Sequence, residues 1–172
     1  MTNRISGGKG MEFIIIIAGI LLDRITKIWA ASSLMGNGDI VIIKDFFSLS
    51  YLENRGAAFG IFQNRVYLLA GVTMIVLLGM VYYMLRYKPE SKLLKISFAF
   101  IISGALGNLY DRMFYNYVVD FIMFHYKEVY YFPSFNVADM LVVSGTALML
   151  IYLIKEETKN GRDENDGRKD GV

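Results

Sequence analysis

The chain has 172 residues and a net charge of +2, which bounds it to one domain at most by the usual roughly 100–200 residues per domain. Its hydrophobic fraction is 55% and its mean hydropathy +0.40, above the roughly 45–50% apolar content of soluble domains. With no cysteine and a single histidine, His125, it has no disulfide, no thiolate nucleophile and no zinc site built from cysteines or several histidines.

In chain order, residues 1–10 are polar and glycine-rich, and Met11 is a candidate natural start. This stretch is expected to be a tag-like or flexible lead outside the fold. A helix is predicted over residues 11–35; its apolar block, 13–22, is short for a span, so the helix must continue through Asp23, Arg24 and Lys27. The connection at 38–60 holds strand-like runs at 40–43 and 46–52, rich in β-branched and aromatic residues, with a turn at Lys44-Asp45. A second helix is predicted over 66–86, where some twenty residues pass without a charge. At 1.5 Å per residue that crosses a ~30 Å hydrocarbon core. A third helix, 93–112, ends in Asp111-Arg112, and strand-like residues at 117–121 and 129–132 follow. A fourth is predicted over 138–155, with Asp139 in its first turn. Residues 156–172 mix both charge signs with almost no apolar residue and are expected to be a disordered tail. Irregular backbone cannot face lipid, so the apolar stretches are read as helices. The fold expected is an α-helical integral membrane protein of four spans, residues 11–155, with a small outer sheet.

Lys and Arg set the orientation. Arg86, Lys88, Lys92 and Lys95 flank the tight turn after the second helix, and Arg4 and Lys9 precede the first. The two longer connections carry fewer for their length. Both termini are therefore expected on the cytoplasmic side, and Asp23, Asn54, Asp111, Asp120 and Asp139 near the outer face.

Ionisable groups in apolar segments are rare and usually functional. Asp23 and Lys27 stand i, i+4 and share a helix face, which a structural ion pair alone would explain. Asn108, Asp111 and Arg112 stand i, i+3, i+4, and Gly104 and Gly107 before them admit a close neighbour. Arg112 can neutralise an acid or hold a carbonyl. Asn136 and Asp139 repeat the i, i+3 spacing at a helix start, where N-capping is the simpler role. Asp120 lies between Val119 and Phe121 in a strand-like run, either solvent-facing or buried for a purpose. The segment from Asn54 through Gly56 to Gly60 reads as a tight loop where backbone approaches a ligand. Two carboxylates brought together share a proton and can serve as the acid and base of amide hydrolysis. Spacing alone does not select Asp120 and Asp139 over Asp111 or Asp23.

Taken together, these residues resemble the lipoprotein signal peptidases (signal peptidase II), bacterial membrane aspartyl peptidases. Four motifs match in order: Asp23-Arg-Ile-Thr-Lys27; Asn54-Arg-Gly-Ala-Ala-Phe-Gly60; Gly104-Ala-Leu-Gly-Asn-Leu-Tyr-Asp-Arg112 leading to Val118-Val-Asp-Phe-Ile122; and Phe132-Pro-Ser-Phe-Asn-Val-Ala-Asp139. Ala105 departs from the family, which often has a second glycine there. The resemblance implies four helices with an extracytoplasmic β-cradle, and Asp120 and Asp139 as the catalytic dyad. It implies Asn54, Asn108, Arg112 and Asn136 as groups lining the site or holding substrate, with Gly56 in the same loop, and Asp23, Lys27 and Asp111 as groups shaping it. The implied reaction removes the signal peptide from prolipoproteins just before a diacylglyceryl-modified cysteine. No metal or other cofactor is implied. Implied partners are the prolipoprotein, membrane lipid and the cyclic peptide inhibitor globomycin; no nucleic acid is expected. Set against this are an ion or proton carrier using the four acids as a relay, a hydrolase using divalent cations on the same carboxylates, and a non-catalytic scaffold, which leaves the polar residues unexplained.

Overall fold

A computed structural model describes residues 10–57, 61–127 and 129–169, with side chains to residue 159. The lead at 1–9, the end of the Asn54 loop motif at 58–60 and the last residues of the tail lie outside the described residues. Among the described residues, four helices, α1 (Met11–Leu34), α2 (Val66–Tyr87), α3 (Lys92–Tyr115) and α4 (Val137–Lys169), accompany four strands, β1 (Ile40–Ile43), β2 (Phe47–Asn54), β3 (Val118–Tyr126) and β4 (Tyr130–Tyr131).

The strands make one antiparallel sheet in the order β1-β2-β3-β4. Asp45, at φ 60°, turns the β1–β2 hairpin. β2 pairs with β3 so that Leu52 faces Asp120 and Asn54 faces Val118, after an irregularity between Leu49 and Leu52. A bulge of this kind bends and re-aims a strand, and it brings Asn54 to the end of the sheet where Asp120 sits. Beyond β4, Phe135 bridges to Ile122, its N–H donating to the Ile122 carbonyl at 3.1 Å. That bridge ties the chain entering α4 to β3.

α3 is the central helix. Across its most apolar stretch 56% is buried, against 11% for α2 and α4, so α2 and α4 present most of their surface outward. Its start is capped by Ser91, whose Oγ accepts the Leu94 N–H at 3.3 Å. Asn116 ends it in the left-handed region at φ 63°, one turn beyond the predicted end at 112. One apolar cluster joins Ala70 and Leu77 of α2 to Leu94, Phe98 and Ile102 of α3. Another joins Ala30 and Leu34 of α1 to Val119 and Phe121 of β3.

The closest approach is between α3 and α4. A Cβ on Gly104 would run into the backbone carbonyl of Ala138. In a bilayer, where lipid tails are as apolar as leucine, such small-residue seams are what hold helices together.

Among the described residues, α2, α3 and α4 are long and apolar enough to cross a membrane. α1, at 24 residues, is long enough, but Asp23, Arg24 and Lys27 interrupt its apolar run. α4 departs from expectation at its far end. Residues after 155, expected to be disordered, are helical through Lys169. Glu156, Glu157 and Lys159 are good helix formers that continue α4, and extending an existing helix carries no nucleation cost.

Candidate active site

Three polar residues of α1 lie one helical turn or less apart, at the level where α3 gives way to the sheet. Lys27 is 1% exposed and Asp23 2%, and they pair at 2.9 Å. Lys27 also meets Asp111 of α3 at 2.9 Å and donates to Asn108 Oδ1 at 2.9 Å. Arg24 holds the other oxygen of Asp111 at 3.3 Å, donates to the Tyr115 hydroxyl, and lies over the Tyr110 ring. An isolated charge in so dry a place would cost several kcal/mol; here two cations face two anions. A Cβ on Gly107 would stand 2.5 Å from Asp23 Oδ2, so only glycine leaves room for this carboxylate against α3.

The shared face expected for Asn108, Asp111 and Arg112 divides in three dimensions. Consecutive helical residues differ by about 100° in direction. Asp111 therefore turns to α1, while Arg112 turns to the other side, where its guanidinium donates to the Gly56 carbonyl at 3.1 Å. Asn108 lies between them and bonds both ways. Gly56 in turn donates its N–H to Asn54 Oδ1 at 2.9 Å, fixing that amide with its nitrogen toward β3.

Asp120 is 1% exposed, so the solvent-facing reading of this strand residue is overturned. Val118, Val119, Asp120 and Phe121 are all buried: Val119 and Phe121 pack against Ala30 and Leu34 of α1, and Phe135 pairs along the strand's edge. Asn54 Nδ2 donates to Asp120 Oδ2 at 2.9 Å and Asn136 Nδ2 to Oδ1 at 2.6 Å. Asp139 sits in the first turn of α4 in a reciprocal cap: its Oδ2 accepts the Asn136 N–H at 3.1 Å, and its own N–H donates to Asn136 Oδ1 at 3.0 Å. The pattern is that of a capping box, built here from Asn and Asp. Asp139 Oδ1 accepts from Asn108 Nδ2 at 2.7 Å. Capping and cavity-facing are thus both true of Asp139.

The two carboxylates, Asn54, Asn108 and Arg112 line one cavity of about 700 Å³. Its remaining wall is mainly apolar, from Val72 and Val76 of α2, Val143 of α4, and Phe132 and Phe135 of the segment before α4, with Thr73 and Ser134 among them. Burial and the neighbouring charge of Asp139 push the Asp120 carboxyl up from its ordinary 3.8 to about 7. Hydrogen bonds from Asn54 and Asn136 and the charge of Lys27 oppose that rise. Two acids with one proton between them, in a pocket of low dielectric, can act as general acid and general base together.

Of the residues singled out from sequence, Asp120, Asp139, Asn54, Asn108 and Arg112 line the cavity. Asn136 and Gly56 bond to Asp120 and Arg112 respectively from just behind its wall, and Asp23, Lys27 and Asp111 form the layer behind it. Sequence reasoning passed over Arg24, whose partners Tyr110, Asp111 and Tyr115 lie on another helix. It also left Phe132 and Phe135 without a role; their place in the fourth motif was the available signal.

The sequence profile of the Signal peptidase (SPase) II family matches residues 15–155. Lipoprotein signal peptidases of Clostridium novyi and Clostridium tetani are 59% and 58% identical to the chain. The alignments cover 85% of the chain and 99% of the first relative, and 86% and 94% for the second. Among solved structures, a bacterial membrane enzyme superimposes with a TM-score of 0.77 at 26% identity, covering 88% of this chain and 92% of that one.

Proposed function

Because the chain belongs to the signal peptidase II family, we propose that it is an aspartyl endopeptidase acting on diacylglyceryl-modified prolipoproteins, cutting before the lipidated cysteine with Asp120 and Asp139. The observation that carries this reading is the cavity itself, in which both carboxylates face one space with apolar walls. The resting pair shares one proton, which burial favours on Asp120. Asp139 takes a proton from a water as that water attacks the scissile carbonyl carbon, and Asp120 gives its proton to the carbonyl oxygen. The gem-diol then collapses: one of its hydroxyl protons returns to Asp120, the C–N bond breaks, and the proton on Asp139 passes to the leaving amine, which restores the starting dyad. Asn54, Asn108 and Asn136 hold the carboxylates by donors that cannot titrate, so protons exchange only within the dyad and the substrate. Arg112 lines the cavity wall, and in this reading its guanidinium holds a substrate carbonyl.

The cavity wall built by Val72, Val76 and Val143 is also outer surface, since these side chains are 52%, 52% and 67% exposed. A peptide tethered to a diacylglyceryl group can enter there while its acyl chains stay in the bilayer. In the membrane we place all four helices as spans, α1 included, because Asp23 and Lys27 are paired inside the bundle and Arg24, though a third exposed, is paired with Asp111. The excess of Lys and Arg around the α2–α3 turn puts both termini in the cytoplasm and the sheet outside.

Asp120→Asn and Asp139→Asn are each expected to abolish cleavage of a diacylglyceryl-modified substrate in detergent, with the proteins folded and inserted. EDTA is expected to leave the wild-type rate unchanged, and globomycin to block it. Full activity in either single variant removes the dyad, and loss in EDTA favours a metal-dependent route.

A further inference from the structure

We propose that Lys27 is the positioning residue that sets the separation of Asp120 and Asp139. An ammonium has three N–H donors, and each of these meets one buried acceptor at 2.9 Å: Asp23 Oδ2, Asp111 Oδ2 and Asn108 Oδ1. Every one of those acceptors leads on to the dyad. Asp23 Oδ1 accepts the backbone N–H of Ala138 at 2.9 Å, one residue before Asp139. Asp111 Oδ2 receives the backbone N–H of Val119 over a longer 3.5 Å, one residue before Asp120. Asn108 donates to Asp139 itself at 2.7 Å. The same Asn108 oxygen that Lys27 holds also accepts from Asn136 Nδ2 at 3.2 Å, and that nitrogen reaches Asp120 at 2.6 Å.

Lys27 thus joins the strand that carries one aspartate to the helix that carries the other, from a third element that carries neither. It is not among the cavity-lining residues, so it acts through its partners. A neutral side chain of the same length would break the link through which Ala138 and Val119 are held at a fixed spacing, and with Asp23 unchanged it would also leave two facing buried carboxylates. The charged groups around Lys27 are Asp23 and Arg24 on α1, Asp111 and Arg112 on α3, Asp120 on β3 and Asp139 on α4. Arg24, bound to the outer oxygen of Asp111, reaches neither Asp23 nor Asn108 and does not replace it.

This role rests on the dyad proposed above, and the test separates the two. The full-length chain in detergent is compared with Lys27→Met and with the pair Lys27→Met/Asp23→Asn, which removes one carboxylate along with the cation. In folded protein, kcat on a diacylglyceryl-modified peptide is expected to fall about 100-fold, the order of loss that an ångström of misplacement produces, with KM unchanged. The pH profile is expected to move to higher pH, since the charge of Lys27 opposes protonation of Asp120. A merely structural lysine would lower the yield of folded enzyme but leave kcat per folded molecule and the pH profile in place. That result in either variant overturns the proposal, as does failure of both to fold. Asp120→Asn is measured alongside: if it cleaves, the dyad itself is wrong, and if it is silent while Lys27→Met cleaves normally, only the positioning role falls.

Discussion

Asp120 is held by neutral amides on both oxygens and shielded from water, and its proton affinity follows from that setting. The unfolded chain releases this proton near 3.8 and the folded chain near about 7, so between those values the folded state binds more protons. Stability therefore falls as pH rises across the window. Asp120→Asn removes the titrating group and keeps the shape. We expect its melting temperature in detergent to gain on the wild type by several degrees from the acid to the neutral end of the window. Parallel curves would show that Asp120 is ionised throughout. The asparagines have the complementary property: each presents donor and acceptor at any pH, which keeps Asp120 aimed whether or not it carries its proton. A lone Asp in a strand-like run is ambiguous in sequence because alternation assigns it a side of the sheet without saying what covers that side.

Among the elements, α3 bears the most constraints. Its sequence must supply glycine where α4 and the Asp23 carboxylate approach, amide and guanidinium toward the cavity, and a carboxylate toward α1. Gly104→Ala sets a methyl against the Ala138 carbonyl, a rigid neighbour one residue before Asp139. We expect this change to cost about 1–3 kcal/mol, as overpacking does in tight interiors, and to lower activity in the remaining folded protein. Gly79→Ala in α2 is the matched control, because a Cβ there meets nothing within 4 Å. Thermal unfolding of the two variants side by side reads the difference; equal melting temperatures would mean the α3–α4 seam has slack. α1, placed above as a fourth span, has a composition that hydropathy alone does not read as one. Its Asp23, Arg24 and Lys27 lower the apolar count, yet two of the three are almost wholly buried.

At the scale of the whole molecule, the proposed orientation puts the β1–β2 turn and the α2–α3 turn on opposite sides of the membrane. The chain has no cysteine, so single cysteines at Asp45 and Glu90 give a clean readout. A membrane-impermeant maleimide on intact cells is expected to label the first and to reach the second only after permeabilisation; the reverse pattern would invert the topology. The apolar blocks, the charged turns and the strand-like runs were legible in the sequence because each depends on residues close together along the chain. The ordered motifs identified the family for the same reason, as local strings of particular residues. Which groups meet was not legible. Asp23 bonds to an amide 115 residues away, and Asn54 to a carboxylate 66 residues away. No periodicity encodes such pairs; they arise when α1, α3, β3 and the start of α4 pack around one point. Sequence by itself therefore determined the class of molecule and the set of polar residues available to it. The tertiary structure alone decided that Asp120 and Asp139 face one cavity while Asp23 and Asp111 are held behind it, because burial and charge pairing depend on neighbours that only folding supplies.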